Sequence, residues 1–346
     1  MSRRLRVAIL AGGRSSEHEI SLASARSVAA ALDPARYDVL GVEIGRDGRW
    51  ALQSREEDVL VAATDTSPAR TLPVPAEDGA LRALGAVDVV LPILHGPFGE
   101  DGTVQGLLEL ADVAYVGAGV AASALAMDKD LFKKVMRDSG IPVARHHALR
   151  LGDPVENPFG YPIFVKPARL GSSVGISKVH DEAELGPAVE LARRHDEKVL
   201  VEEFVHGMEV ECGVLGNRVP PPVASLPGRI DTLEHEWYDY ASKYDDGGME
   251  LVIPPELPEE TIALVQERAV DAFVASECEG MARVDFFVRD ADGEVVVNEL
   301  NTIPGFTATS VYAKLFEASG VPYAALLDRL IELALERRDR RSGLSY

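Results

Sequence analysis

The first hundred residues contain three short apolar runs with the length of strands and one segment whose apolar residues recur at helical spacing. Residues 5–10 form an apolar run followed by a glycine pair, which indicates a buried strand that ends in a tight turn. Residues 21–32 are alanine-rich and predict a helix, and residues 37–44 and 86–94 predict further strands. Strands that alternate with helices predict a parallel α/β unit whose sites lie at the carboxyl ends of the strands.

Beyond residue 119 the pattern indicates two further units. Their predicted elements are a helix over 127–139, strands over 161–167 and 199–205, a helix over 259–276, and a hairpin of strands 281–288 and 294–300. The stretch 231–248 is rich in glycine and aromatic residues and is predicted to be exposed. A proline-rich, acidic stretch over 64–79 predicts a surface loop.

The predicted hairpin carries the most informative polar residues. Residues two apart in a strand face the same way, so Arg283 shares a face with Asp285, and Glu299 shares one with Asn301. If the strands pair antiparallel, these faces can adjoin and bring two carboxylates, an amide oxygen and an arginine together. Magnesium prefers such hard oxygen ligands, and an arginine beside them suits a developing anion. The alternative is a surface hairpin with a salt bridge, although apolar residues flank the polar ones on both strands.

A glycine- and serine-rich loop over 171–175 follows the predicted strand that ends near Lys166. Small residues let backbone N–H groups approach phosphate oxygens, and a lysine can meet a phosphate as a point charge. A plain flexible turn is the alternative, and the chain has no Walker A sequence. Glu202 could contact an adenine and Glu209 could contact a ribose, but the sequence is equally consistent with two exposed acids that have no such role. The early glycine pair lacks the third glycine of a dinucleotide site, which argues against a dehydrogenase.

Composition narrows the class of protein. A chain of 346 residues is expected to form two or three domains. Its formal net charge of −21 argues against a nucleic-acid partner, and the arginines over 337–341 indicate a solvated helix end. Cys212 and Cys278 lack a CxxC spacing, which favours reduced thiols and no zinc site. The apolar run 7–11 is too short for a signal peptide or a membrane span, so we expect a cytoplasmic protein without a membrane partner.

Several short motifs follow one another along almost the whole chain. They are GGRSSEHEIS at 12–21, HGPFGEDG at 95–102 with QG at 105–106, MDK at 127–129, KP at 166–167 with Arg169 and GSSVG at 171–175, YDY at 238–240 with KY at 243–244, RVD at 283–285, and NELNT at 298–302 with PG at 304–305. In this order they resemble the motifs of the D-alanine–D-alanine ligase family of the ATP-grasp superfamily.

The resemblance implies a fold and a division into domains. The fold class is α/β, with α+β character in the ATP-grasp part, and the architecture is a three-domain ATP-grasp fold. A parallel-sheet substrate-binding domain would span residues 1–118. The ATP-grasp part would consist of a central subdomain over 119–212 and a C-terminal subdomain over 213–346 that holds the metal site and a mobile loop.

Roles toward the nucleotide and the metal come from the resemblance. The phosphate lysines and the adenine and ribose contacts would be Lys129, Lys166, Glu202, Val205 and Glu209. The ligands of two magnesium or manganese ions would be Asp285, Glu299 and Asn301.

Roles around the first substrate follow in the same way. Glu17 resembles the residue that holds the ammonium of the first D-alanine, and His95 lies near that substrate. Ser172 and Tyr244 resemble partners that lock a mobile loop over the cleft beside Glu17. A lid is expected on chemical grounds, because an acyl phosphate hydrolyses in water.

The remaining roles concern the bond that is made. Arg283 and the backbone N–H of Gly305 look like the pair that binds the oxyanion. Ser310 and Lys243 are similar to residues that hold the carboxylate of the second substrate. The implied reaction is the ATP-dependent joining of two D-alanine molecules for peptidoglycan precursor synthesis. ADP and phosphate are released through an acyl-phosphate intermediate, and the implied assembly is a homodimer.

Three alternatives stay open on the sequence. Relatives that use D-lactate or D-serine as the second substrate resemble the chain closely, and tyrosine at position 244 favours D-alanine over D-lactate. A different ATP-grasp enzyme would not be expected to carry the Glu17 and HGPFGEDG motifs. A nucleotide-binding regulator without catalysis would be expected to lack part of the metal set or the oxyanion arginine.

Overall fold

The computed structural model describes residues 3–52, 86–232 and 249–345. The loop predicted over 64–79 lies outside these residues, and so do Lys243, Tyr244 and most of the stretch 231–248. The described elements are, in chain order, β1 (Leu5–Gly12), α1 (His18–Ala31), β2 (Tyr37–Ile44), β3 (Trp50–Leu52), β4 (Val89–Pro92), α2 (Thr103–Leu110), α3 (Val120–Met127), α4 (Lys129–Asp138), β5 (His146–Leu149), β6 (Ile163–Pro167), β7 (Ser177–Val179), α5 (Glu182–Arg193), β8 (Val199–Glu203), β9 (Gly207–Gly216), β10 (Val223–Ala224), β11 (Gly228–Thr232), β12 (Met249–Val252), α6 (Glu259–Ala275), β13 (Gly280–Arg289), β14 (Val295–Asn301), α7 (Val311–Ala318) and α8 (Tyr323–Ser342).

The N-terminal sheet has the strand order β3-β2-β1-β4. Strand β1 pairs in parallel with both β2 and β4, so the parallel unit predicted from the sequence is confirmed. Because β1 has a later strand on each side, a crevice opens at its carboxyl end, which is where such sheets bind ligands. Gly12 ends β1 with a positive φ of 89°, and a Cβ there would stand 2.4 Å from the carbonyl oxygen of Ile44. This position therefore requires glycine.

Two antiparallel sheets follow along the chain. The first has the order β5-β8-β6-β7 and packs its apolar face against α5. The second has the order β12-β11-β9-β13-β14, with β10 beside β9. Helices α3, α4 and α6 bury one face of this second sheet through residues such as Ala122, Phe132 and Phe273. The helix predicted over 127–139 is α4, and α3 precedes it as a separate helix. The domain boundaries at 118 and 212 stay a prediction.

The C-terminal helix α8 returns to the N-terminal sheet, where Leu327, Leu330 and Ile331 join its apolar core. Arg337 of this helix is only 4% exposed. It donates hydrogen bonds to the carbonyl oxygens of Tyr115, at 2.6 Å, and Gly117, and its guanidinium lies 4.2 Å from the centre of the Tyr115 ring. The interpretation of residues 337–341 as a solvated helix end is therefore wrong for Arg337. Two carbonyl oxygens and an aromatic ring replace its water, and α8 is tied to the chain just before residue 118.

Cys212 and Cys278 are free thiols in the apolar core, where burial raises the pKa of each to about 12. Among the described helices, none combines the length and the apolar composition that crossing a membrane requires.

Candidate active site

A cavity of about 480 Å³ lies in the cleft between the two antiparallel sheets. Lys166 on β6 and Glu202 on β8 line it from one sheet, and Asp285 and Glu299 line it from the β13–β14 hairpin. The 171–175 loop covers one side. Apolar side chains, including Phe164, line another part of the wall, so one cavity offers an apolar surface next to lysines and carboxylates. This combination suits a planar ring carried on a chain of phosphates.

A β-bulge decides which way the metal-site residues point. Val297 packs in the core beneath α3, α4 and α6, so strict alternation would send Glu299 and Asn301 into that core as well. In the observed register Asn298 is an extra residue in β14. The bulge reverses the alternation, so that Leu300 enters the core while Glu299 and Asn301 face the cleft.

The hairpin brings the predicted metal and oxyanion residues together. Asp285 lies directly opposite Glu299, and Arg283 lies opposite Asn301. Arg283 donates from Nε and Nη2 to the two Asp285 oxygens, each at 2.7 Å. Asn301 Nδ2 donates to Asp285 Oδ2 at 2.9 Å, so the amide and the carboxylate can reach one ion. An Arg283–Asp285 salt bridge is present, but Asp285 is only 4% exposed and the pair is not a surface feature.

The donor chemistry of this site fits a hard divalent cation. Among residues 3–52, 86–232 and 249–345, no cluster of three or more His, Cys, Asp or Glu is arranged to hold a metal. The set at the hairpin instead has two acids and an amide, and Mg²⁺ ordinarily completes such a set with phosphate oxygens and water.

Lys129 begins helix α4 and reaches the same hairpin. Its ammonium lies 3.1 Å from Glu299 Oε2 and donates to the Leu170 carbonyl oxygen at 3.0 Å. Burial is the largest single influence on Lys129 and opposes its charged form, but the Glu299, Glu100 and Glu202 carboxylates together outweigh burial and raise the pKa of this lysine. A permanent positive charge therefore stands between the carboxylate and the glycine-serine loop.

The other predicted phosphate lysine, Lys166, contacts Glu202. Its Nζ lies 2.5 Å from Glu202 Oε1. Burial favours the neutral acid at Glu202, but Lys133 and Lys166 outweigh it and lower the pKa of this carboxyl. Val205 and Glu209 line the same cavity, as the sequence led us to expect for adenine and ribose contacts. The individual adenine and ribose contacts stay predictions.

A second cavity, of about 140 Å³, opens at the carboxyl ends of β1 and β4. Glu17 stands at the N-terminus of α1 just after β1, and His95 follows β4. His95 Nδ1 donates to the Ile303 carbonyl oxygen at 3.0 Å, and its Nε2 has no hydrogen-bond partner among the described residues. Burial lowers the pKa of His95, which keeps the imidazole neutral. Adjacent strands thus place an acid and a neutral imidazole in one pocket.

The glycine-serine loop closes one wall of this second cavity. Ser172 and Ser173 both have positive φ angles, of 52° and 57°, which residues with a Cβ rarely adopt. The Ser172 hydroxyl donates to Glu17 Oε1, so a hydrogen bond joins the loop to the start of α1. Gly305, Ser310 and Arg283 also line this cavity. The Ser310 hydroxyl accepts from the Thr307 N–H at 3.0 Å.

The two cavities share three lining residues, Gly171, Ser172 and Glu299. A phosphate chain held in the larger cavity would therefore end where the smaller cavity begins. Every predicted site residue within the described part of the chain lines one or both of these cavities.

The family matches cover both halves of the chain. Residues 6–118 match the family described as D-ala D-ala ligase N-terminus, and residues 135–332 match the D-ala D-ala ligase C-terminus. D-alanine–D-alanine ligase A of Mesorhizobium japonicum is 47% identical, over 99% of this chain and 100% of its own. The chain belongs to the D-alanine–D-alanine ligase family.

Solved structures agree with this membership. The VanG D-Ala:D-Ser ligase of Enterococcus faecalis superposes with a TM-score of 0.81 at 34% identity, covering 96% of this chain and 100% of that one. A D-alanine–D-alanine ligase of Bacillus anthracis complexed with ATP gives a TM-score of 0.78 at 26% identity, covering 97% and 99%. The α/β class and the ATP-grasp architecture expected from the sequence are confirmed.

Two carboxylates of this ligase site were missed by the sequence analysis. Glu211 on β9 lies opposite Asp285 and 3.0 Å from Arg283, and its position two residues after Glu209 was the available signal. Glu100, within the HGPFGEDG motif, lines the smaller cavity, and its Oε1 accepts the Gly96 N–H at 2.8 Å. Burial, followed by the nearby Glu17 carboxylate, raises the pKa of Glu100 from 4.5 to about 8.

Glu100 should make the stability of the protein depend on pH. Its pKa is raised in the folded state, so its stabilising contribution is complete below about pH 4.5 and is lost as the pH rises through about 8. We expect Glu100→Gln to raise the melting temperature relative to the parent at pH 8, by roughly 1–2 °C if the effect is about 1 kcal/mol, and by less at pH 5. The measurement is thermal unfolding from pH 5 to pH 9 without nucleotide or metal. Glu190→Gln on the exposed side of α5 is the control, and parallel curves for Glu100→Gln and parent would contradict the assignment.

Proposed function

We propose that this chain joins two D-alanine molecules to D-alanyl-D-alanine, with conversion of ATP to ADP and phosphate, for peptidoglycan precursor synthesis. The observation that carries the proposal is the junction of the two cavities at Ser172 and Glu299. A carboxylate is a poor electrophile and must be activated before an amine can attack it. A site that sets a phosphate chain against a small pocket with an acid, an imidazole and an arginine is suited to that activation.

The first half of the reaction would use the residues at the junction. Glu17 would hold the ammonium of the first D-alanine, and neutral His95 would lie beside it. Lys129 and Lys166 would neutralise the phosphates, so that the substrate carboxylate can approach the terminal phosphorus. Asp285, Glu299 and Asn301 would hold Mg²⁺ or Mn²⁺, two ions in all. When bound, these ions would supply further neutralisation of the charge on the transferred group.

The second half would form the peptide bond. Transfer of the terminal phosphoryl group to the first D-alanine would release ADP and give an acyl phosphate. The free amine of the second D-alanine would then attack the acyl carbon and lose a proton, and the C–O bond to phosphate would break. Arg283 and the Gly305 N–H would donate to the oxyanion that forms, and Ser310 with Lys243 would hold the second carboxylate. The Ser172–Glu17 bond supports a closed loop beside the first substrate, and Tyr244 would complete that contact.

We further propose the domain boundaries 1–118, 119–212 and 213–346, a homodimer and a cytoplasmic location.

D-serine is a specific alternative for the second substrate, because the VanG D-Ala:D-Ser ligase resembles this chain over nearly its full length. D-lactate is a weaker alternative, and an ester product would reveal it. Another ATP-grasp amino-acid ligase would differ in both substrates.

Product identification tests the proposal directly. We expect that incubation with ATP, Mg²⁺ and a mixture of D-alanine, D-serine and D-lactate gives D-alanyl-D-alanine as the main product by mass spectrometry. One ADP should be released for each dipeptide. A main product ending in D-serine or D-lactate would reassign the second substrate. ADP release that does not depend on any D-amino acid would overturn the ligase assignment for this chain.

A further inference from the structure

Lys133 is a fully buried lysine that lines neither cavity. It lies on α4, one helical turn after Lys129, and its side chain is 0% exposed. Its Nζ stands 3.0 Å from Glu202 Oε2, while Lys166 Nζ stands 2.5 Å from Glu202 Oε1. One carboxylate is therefore shared between two ammonium groups, of which only Lys166 reaches the cavity.

Other charged groups near Lys133 already have partners of their own. Lys198 contacts both Asp128 oxygens, at 2.6 and 2.5 Å. The Asp130 carboxylate contacts Lys134 Nζ at 2.9 Å and His146 Nε2 at 3.2 Å. Lys129 and Glu299 also act electrostatically on this group, but they pair with each other at 3.1 Å, so one charge offsets the other. Lys133, Glu202 and Lys166 are therefore connected through direct contacts and hold two positive charges and one negative charge.

The charge of this group depends on Lys133. With Lys133 present, one positive charge is left over, and it resides at the cavity wall on Lys166. Without Lys133, the Glu202 carboxylate would cancel Lys166 completely and bind it more tightly, because a buried ion pair is screened far less than an exposed one. Lys166 would then be a poorer partner for phosphate.

Burying an ammonium is costly, and the direct contact that compensates this one is the Glu202 carboxylate at 3.0 Å, which it shares with Lys166. Burial lowers the pKa of Lys133, and the Glu202 carboxylate offsets only part of that effect. A buried lysine with so few compensating contacts does not suit a purely stabilising role. An apolar side chain of similar volume would fill the same space at a lower cost in folding free energy.

We propose that Lys133 is a positioning residue for nucleotide binding: it shares the Glu202 carboxylate and so leaves the positive charge of Lys166 available to the phosphates of ATP. This inference rests on the proposed function, in that it names a residue that supports ATP binding at the same site.

The test is a double-mutant comparison of ATP affinity. Lys133→Met is made in the parent chain and in the Glu202→Gln chain, and the Kd of ATP with Mg²⁺ is measured by calorimetry without D-alanine. We expect the Kd to rise about tenfold in the parent background and to change by less than about threefold in the Glu202→Gln background, where no carboxylate remains to bind Lys166. The KM of D-alanine should stay unchanged. Lys134→Met, a half-exposed neighbour on the same helix, is the control.

The outcomes separate positioning from simple structural support. An equal rise in the Kd of ATP in both backgrounds, or an equal rise in the KM of D-alanine, would overturn the proposal. If Lys133→Met does not fold in the parent background, the comparison within Glu202→Gln still decides, because a tenfold loss there would also overturn it. If the parent forms the dipeptide but Lys133→Met binds ATP as tightly as the parent, this inference alone is contradicted. If the variants show the expected changes in the Kd of ATP but the parent forms no dipeptide, the proposed function alone is contradicted.

Discussion

Replacing Arg283 with alanine is expected to lower kcat by about 10²–10³-fold and to leave the Kd of ATP nearly unchanged. The guanidinium lines the smaller cavity together with Gly305, and we have proposed that this pair binds the tetrahedral oxyanion. Its other donors are held by Asp285 at 2.7 Å and by Glu211 at 3.0 Å, so its orientation is fixed before any substrate binds. A donor that is preorganised in this way stabilises the transition state more than the bound substrate.

Two further variants make the Arg283 experiment specific. Arg283→Lys keeps the charge but loses the planar fork, so an intermediate kcat is expected. Arg289→Ala removes a partly exposed arginine from the far end of β13, where it pairs with Asp292 and Glu294, and should leave kcat unchanged. Because Arg283→Ala leaves two buried carboxylates without their cation, thermal unfolding must accompany the kinetics. A loss of ATP affinity as large as the loss of kcat would place Arg283 on the nucleotide instead.

The sequence predicted the N-terminal sheet and the hairpin well because both are specified locally. The apolar runs of β1 and β2 have the lengths of strands, and the predicted strand over residues 37–44 coincides with β2. Glu17 and His95 could be expected to approach each other once the sheet was parallel, since both follow neighbouring strands at their carboxyl ends.

Other features depend on partners far away in the chain and carry no local signal. The bulge at Asn298 arises from the register of β14 against β13, yet it alone turns Glu299 and Asn301 toward the cleft. Glu211 matters only because β9 pairs with β13. The burial of Arg337 follows from the packing of α8 next to Tyr115, which a cluster of arginines in the sequence does not indicate. Motifs along the chain predicted which residues carry the chemistry, while pairing between strands determines which of these residues lie close together.

Replacing Glu299 with alanine is expected to lower magnesium-dependent ADP formation by roughly 10²–10³-fold or more, because several kcal/mol of charge stabilisation would be lost. Glu299 lies opposite Asp285 in the hairpin, contacts Lys129 at 3.1 Å and belongs to both cavities. Its loss would remove a proposed metal ligand and would also leave the Lys129 ammonium without its carboxylate. The measurement is ADP release against Mg²⁺ concentration at saturating D-alanine.

The form of the magnesium dependence distinguishes a metal ligand from a structural acid. A ligand variant should require far more Mg²⁺ for half-maximal rate, and added Mn²⁺ should restore part of the activity because it binds the same oxygen donors. Glu294→Ala, an exposed acid at the turn end of the same hairpin, should leave the magnesium dependence unchanged. If Glu299→Ala turned over at the parent rate and at the same Mg²⁺ concentration, the hairpin would not be the metal site. The junction of the two cavities would then have to bring a carboxylate and a phosphate together through the lysines alone.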